Sequence, residues 1–348
     1  MNFDLNNLVR DNVKNLLPYS SARDEYKTDG EAMIFLDANE NPYENGLNRY
    51  PDPQQILLKS KISEIKQVSK KQMLLGNGSD EVLDLIFRAF CEPETDNVIS
   101  LPPTYGMYKV LSEINNVENR EVLLTSEFEP DVEAILEAVD ANTKLLFLCS
   151  PNNPSGNSFN AELVKKLLES FNGLVVIDEA YIDFSDIAGW SQSLDTYPNL
   201  IITQTFSKAF GMAGIRLGML FASKKIIKIL NRIKPPYNVN ELTQQRALRG
   251  LQNYSEIKKQ VIDIKNERER LSKALVQLKY VFKIYPSDAN FLLIKVDDAD
   301  QKYMELIGKG IVVRNRSKQP LCENCLRITV GTALENQNLL KAFKELES

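Results

Sequence analysis

Histidine is absent from all 348 residues of this chain. That absence excludes Ser-His-Asp and Cys-His nucleophile systems and every histidine-ligated metal centre. Cysteine is scarce: Cys91, Cys149, Cys322 and Cys325 are the only four. Cys322-Glu323-Asn324-Cys325 has the spacing of a redox pair or of half a zinc site. Cys91 and Cys149 lie far upstream in apolar settings, so free thiols in a reducing compartment are the simpler reading. No apolar run approaches the ~20 residues of a membrane span. There is no basic stripe with interleaved aromatics, and the net charge of −5 argues against a nucleic-acid partner. The chain has neither a G-x-G-x-x-G fingerprint nor a P-loop, which disfavours a nucleotide site. It has no internal repeat and no low-complexity linker. Its start, MNFDLNNLVRDNVKNL, lacks the features of a signal or transit peptide. These absences lead us to expect a soluble, cytoplasmic protein with no membrane or nucleic-acid partner and no metal.

What is present is globular: 43% hydrophobic and 26% charged residues, at a length that suggests about two domains. The most informative stretch is IITQTFSKAFGMAGIRLG, residues 201–218. Ile201-Ile202-Thr203 reads as a buried strand. It runs into hydroxyls at Thr205 and Ser207, then Lys208 amid small and apolar residues, with Arg216 eight positions on. A lysine among apolar groups is partly desolvated, which lowers its pKa and makes its amine a nucleophile toward an aldehyde. Hydroxyls and an arginine are what a phosphate needs. An aldehyde that carries a phosphate is pyridoxal 5′-phosphate (PLP), so the stretch reads as a Schiff-base site.

The rest of the chain supplies polar groups at strand ends. Leu5–Leu17 is expected as a helix stopped by Pro18, and Ile34–Leu36 as a short strand. A helix follows at about Gln55–Gln67. Gly76-Asn77-Gly78-Ser79-Asp80-Glu81 opens another helix, with Ser79 as its expected N-cap. That turn is either an ordinary capped start or an anion cradle. Strands at Val98–Ser100, Lys144–Ser150 and Leu174–Ile177 end at Tyr105, Asn153 and Asp178/Tyr181 respectively. Helical stretches between them argue for an α/β fold with a largely parallel sheet, whose ligands collect beyond the strands' carboxyl ends. From Glu241 to about Leu278 the chain reads as one long charged helix, best taken as a connector. Strands at 291–296, 311–314 and 326–330 and a helix near 300–308 fit a small α+β domain. It carries Arg314 and Arg327, each either an anion-binding residue or a surface one. The expected division is an arm (1–30), a large domain (31–240) and a small domain (241–348).

Together PYSSAR (18–23), LDANENPY (36–43), RYPDP (49–53), GNGSDE (76–81), PTYGMY (103–108), SPNNPSG (150–156), IDEAY (177–181), TFSKAFGMAGIRLG (205–218) and LRITVGT (326–332) carry a resemblance over nearly the whole length. The chain resembles the fold-type I PLP-dependent aminotransferases, and within them the histidinol-phosphate subfamily. The resemblance implies that Lys208 forms the Schiff base and moves the proton. It implies that Asp178 pairs with the pyridinium nitrogen, that Asn153 and Tyr181 bind the ring's 3′ oxygen, and that Tyr105 stacks on the ring. The cofactor phosphate would be taken by Gly78, Ser79, Asp80, Thr205, Ser207 and Arg216. Tyr50 would reach that phosphate from the neighbouring subunit of a homodimer. Tyr19, Asn39, Asn153, Arg314 and Arg327 would bind substrate. The implied reaction is ping-pong amino transfer from L-histidinol phosphate to 2-oxoglutarate, giving glutamate, in histidine biosynthesis. An aromatic amino-acid aminotransferase or a threonine-phosphate decarboxylase would keep the same cofactor residues. A PLP-sensing transcriptional regulator is disfavoured, because the arm before Asp37 is too short and too little basic for a DNA-binding helix-turn-helix. The CENC before Leu326 has no counterpart in the resemblance.

Overall fold

The computed structural model describes residues 3–17 and 34–346. Its centre is a seven-stranded sheet of β1 (Met73–Gly76), β2 (Asn97–Ser100), β3 (Glu118–Glu121), β4 (Thr143–Cys149), β5 (Leu174–Asp178), β6 (Leu200–Thr205) and β7 (Gly218–Ala222). The spatial order is β1-β7-β6-β5-β4-β2-β3. The pairs β3/β2, β2/β4, β4/β5 and β5/β6 are parallel, and β7 runs antiparallel to both β6 and β1. The fold is thus the expected α/β arrangement with a mostly parallel sheet.

Both faces of this sheet are covered, and its strands show it residue by residue. Leu146, Leu148, Val175, Ile177, Ile202 and Met219 belong to one core. Their neighbours Leu145, Phe147, Leu174, Val176, Ile201 and Leu220 belong to the other. A strand buried on both sides reads as a continuous apolar run, as most of β4 and β5 do; β6 opens the same way at Leu200–Ile202 and then buries Thr203, Gln204 and Thr205. The connecting helices pack with one apolar face inward; in Ser79–Phe90 that face includes Val82, Leu85, Ile86, Ala89 and Phe90.

A second sheet is antiparallel throughout, in the order β10 (Arg314–Asn315), β11 (Cys325–Thr329), β9 (Phe291–Val296), β8 (Val281–Ile284). Its own core includes Leu292, Ile294, Leu326, Ile328 and Phe343. No helix among the described residues is long and apolar enough to cross a membrane.

Several local expectations need correction. Leu5–Leu17 is not one helix but a 3-10 turn, Leu5–Asn7, and a short helix, Asp11–Lys14. Arg10 breaks it with extended ψ, and its side chain reaches Glu92 and the Arg88 carbonyl instead. Residues 34–36 pair with no strand, and Ile34 and Leu36 are exposed. The long charged helix is two, Glu241–Gln252 and Tyr254–Leu275, divided at Asn253. Of 311–314 only Arg314 joins a ladder. Ser79 is the first helical residue, not the cap. Gly78 holds the cap position at φ 84, a conformation open chiefly to glycine, and no side chain caps the helix.

β1 and β7 meet at a close backbone contact. A Cβ on Gly218 would lie 2.4 Å from the Gly78 carbonyl carbon and 2.5 Å from the Ser79 nitrogen. Gly218→Ala must therefore push the Gly78–Ser79 turn away. We expect a loss of about 1–3 kcal/mol of unfolding free energy in urea titration; wild-type stability would refute the contact as the reason for glycine.

Candidate active site

Five strand ends of the large sheet deliver side chains to one pocket. It is lined by Ser79 and Asp80 after β1, Tyr105 after β2, Cys149 and Asn153 from β4 onward, Asp178 and Tyr181 from β5 onward, and Thr205, Ser207, Lys208 and Arg216 from β6 to β7. This convergence follows from topology: parallel strands bring their carboxyl ends, and the loops that follow them, to the same edge.

Asp178 closes β5 and is buried. Its carboxylate accepts hydrogen bonds from the Tyr108 hydroxyl at 2.8 Å and the Thr203 hydroxyl at 3.0 Å. Burial raises its pKa, against the pull of those two bonds. A desolvated carboxylate held by neutral hydroxyls is a site for a cation, and more so for a protonated ring nitrogen. Tyr108 has no role in the sequence reading, although it lies within the PTYGMY run. It is completely buried, stacks on Phe147 with centroids 4.8 Å apart, and aims its hydroxyl at Asp178. Tyr105 precedes the Gly106 cap of the Met107–Ile114 helix, and its ring meets that of Tyr108 edge-on with centroids 5.7 Å apart; the second tyrosine of the PTYGMY run was the available signal.

The Lys208 amine lies 5.5 Å from the centre of the Tyr181 ring. Burial lowers its pKa first of all, and the Arg327 charge adds to this while Asp178 opposes it. Burial likewise raises the Tyr181 and Tyr105 hydroxyls, so both stay protonated at neutral pH. Thr205 and Ser207 hydroxyls are 3.0 Å apart. Arg216 sits in the left-handed region at φ 51, a costly conformation that turns its guanidinium toward Gly78 and Asp80. Its contact with Asp80 Oδ2 at 3.3 Å is half-exposed and therefore weak.

From the second sheet, Arg327 on β11 donates a hydrogen bond to the Asn153 side-chain oxygen. Arg314 stands opposite it across the β10/β11 ladder and is exposed. Arg316, which the sequence reading passed over, is half-buried on the same loop. Asn39 and Tyr50 do not join this pocket within one chain; they line a separate cleft, where Tyr50 stacks on Tyr237 at 4.6 Å. Tyr19 lies outside the described residues. The thiols of Cys322 and Cys325 are buried and unbridged, and burial pushes them up to about 12 and about 11.

Comparison with known proteins now decides the family. The profile of the aminotransferases of class I and II matches residues 25–343. The chain belongs to that family. A Christiangramia forsetii protein named histidinol-phosphate aminotransferase is 68% identical over 346 residues, which is 99% of both chains. The solved histidinol-phosphate aminotransferase of Sinorhizobium meliloti, in complex with pyridoxal 5′-phosphate, superposes with a TM-score of 0.79. It is 26% identical, over 86% of this chain and 83% of that one. The Clostridium acetobutylicum enzyme of the same name has the same fold, with a TM-score of 0.80 at 24% identity over 86% of this chain and 91% of that one.

This aminotransferase is PLP-dependent, and its residues fit that cofactor. The Ser79–Phe90 helix begins without a side-chain cap, so its first N–H groups are free for an anion beside the Thr205 and Ser207 hydroxyls and Arg216. A Cβ at Gly78 would come within 2.7 Å of Arg216 Nη2, so the glycine keeps that corner open. Asp178 adds a buried carboxylate to the same pocket, and Lys208 lines it too.

Glu179, beside Asp178, is buried as well. It accepts from the Trp190 N–H at 2.6 Å and from the Gln204 amide at 2.8 Å. Burial nonetheless raises its pKa from 4.5 to about 7. An acid whose folded pKa lies above its unfolded one holds its proton longer when folded, so its contribution to stability falls as pH rises through that window. The change is about 3 kcal/mol between pH 4.5 and about 7. We expect the excess stability of the wild type over Glu179→Gln to shrink by that order across the window in denaturant titrations. A constant difference would reject the raised pKa.

Proposed function

We propose that this chain transfers the amino group of L-histidinol phosphate to 2-oxoglutarate, giving imidazole-acetol phosphate and glutamate, as a step of histidine biosynthesis. The observation that carries the reading is the pair of cations at the substrate end: Arg327 bonded to Asn153, with Arg314 opposite it on the ladder. A phosphate monoester suits two guanidinium forks better than it suits a single one. The 68% identity to a full-length relative of that name supports it.

Bound PLP supplies an electron sink for the bonding electrons at the substrate's amine-bearing carbon. The chain supplies the rest. Lys208 would hold the cofactor by its aldehyde carbon, and its free amine would take and return the proton at the substrate's amine-bearing carbon. The lowered pKa suits an amine that must act as a base near neutral pH. Asp178 would keep the ring nitrogen protonated, Asn153 and Tyr181 would hold the 3′ oxygen, and Tyr105 would stack on the ring. Gly78, Ser79, Asp80, Thr205, Ser207 and Arg216 hold the cofactor phosphate. Tyr19, Asn39, Arg314 and Arg327 bind substrate, with Asn153 shared between ring and substrate.

We also propose a homodimer in which Tyr50 crosses to the neighbouring cofactor phosphate. Exposed apolar side chains concentrate at 34–57, including Ile34, Leu36, Tyr43, Leu47, Ile56 and Leu57, as expected of a surface that another copy covers. The unbridged cysteines favour a cytoplasmic home. The second sheet has a core of its own on one face, while Leu293 and Cys325 on its other face join the large sheet's core; this supports a large domain over 31–240 packed on a small one over 241–348, with an arm before them.

The decisive experiment follows the visible band of the bound cofactor. L-Histidinol phosphate alone should bleach it, 2-oxoglutarate should restore it, and Lys208→Ala should abolish the cycle. A band moved only by phenylalanine or by threonine phosphate would transfer the substrate claim to an aromatic aminotransferase or to a decarboxylase. Sedimentation should give twice the chain mass, and Tyr50→Ala should weaken cofactor retention without splitting the dimer. A monomer in solution would defeat the crossing of Tyr50.

A further inference from the structure

Three arginines meet on one face at the edge of the second sheet. Arg314 is paired opposite Arg327. The ladder runs one step further, where the Arg316 N–H donates to the Cys325 carbonyl at 2.8 Å. Strand alternation puts Arg314 and Arg316 on the face that carries Arg327. Arg316 is half-buried, and its field reaches Tyr181, which lines the pocket.

None of the three guanidiniums has a carboxylate partner among the described residues. The Nε of Arg316 and that of Arg327 are both buried without a hydrogen-bond partner; nine side-chain atoms among the described residues are in that state, and four of them fall within 316–327. Desolvation, then the charges of Arg327 and Arg314, bring the Arg316 pKa down to about 10. Like charges gathered in a half-buried place repel one another, and a multiply charged anion offsets that repulsion best. Arg316 is not holding its own loop, because its guanidinium bonds to nothing in it.

We propose that Arg316 is a third phosphate-binding guanidinium and that it sets the preference of the site for phosphate-bearing over carboxylate-bearing substrates. The inference rests on the functional reading above, in which Arg314 and Arg327 take the substrate phosphate. A carboxylate presents two oxygens in a plane and one charge, which two forks satisfy. A phosphate monoester presents three oxygens in a tetrahedron and close to two charges, so a third fork has work only there. An enzyme whose two substrates alternate in one pocket can thereby hold the phosphate donor firmly and still release the dicarboxylate.

The test compares the two half-reactions of the holoenzyme, each followed by the cofactor's visible band. In Arg316→Gln the apparent affinity for histidinol phosphate should fall about 10- to 100-fold with a nearly constant maximal rate. The half-reaction with glutamate should stay as in the wild type, and inorganic phosphate should inhibit the variant less. Equal losses with both substrates would make Arg316 a structural residue and overturn the inference. So would two unchanged half-reactions. Should Arg316→Gln lose the cofactor, Arg316→Lys keeps the charge without the fork, and the same comparison applies: a loss confined to histidinol phosphate supports the inference, and an equal loss overturns it. A wild type that ignores histidinol phosphate would bring down the functional reading, and this inference with it. A responsive wild type matched by the variants would bring down the inference alone.

Discussion

Asp178 has given up nearly all contact with water, and much of the surrounding architecture answers the cost of that burial. A carboxylate in a dry interior loses hydration that only hydrogen bonds or an opposite charge can offset. Tyr108 and Thr203 provide two bonds, and each is placed by an element that also serves the core. Thr203 lies on β6, paired directly with Asp178 across the parallel ladder. Tyr108 arrives from the Met107–Ile114 helix and is held by its stack on Phe147 of β4. What remains is its charge, which a cation in the pocket would offset. The carboxylate therefore ties one helix and three strands into one requirement.

The same requirement explains what could be read from the sequence. Strands β4 and β5, and the first half of β6, are apolar on both faces, so their runs stood out, and the polar residues that follow were visible by contrast. Lys208, Asp178, Asn153 and Tyr105 were legible for that reason. β3 was not: Glu118-Asn119-Arg120-Glu121 is polar throughout and half-exposed at the sheet's edge, so no period marks it. The antiparallel course of β7 was also hidden, because direction depends on the connection around Arg216 and not on residue type. Ser79 looked like a cap by composition, but the left-handed backbone of Gly78 leaves that helix start open.

Arg316 illustrates another limit. Its neighbour two residues back, Arg314, drew notice as the end of the apolar run 311–314, and again through the resemblance, whereas Arg316 matched nothing familiar. Its surroundings emerge only when β10 and β11 are paired, for the ladder brings residues 314, 316 and 327 to one face. Strand register turns a separation of more than ten positions along the chain into adjacency.

The loop from Ser150 to Gly156 has two moorings on the second sheet's side of the molecule. Asp288 donates its backbone N–H to the Gly156 carbonyl at 2.7 Å, and Arg327 grips the Asn153 side chain. The side chain of Ser287 crowds Gly156 so closely that a Cβ there would meet its hydroxyl at 2.6 Å. Asn152 meanwhile binds the same loop to the Pro103 carbonyl and the Thr104 hydroxyl, next to Tyr105. One short span of chain thus joins the Pro103–Tyr105 turn, Asn153 and the second sheet. A change that shifts this span would therefore move the Tyr105 turn, Asn153 and Arg327 at once.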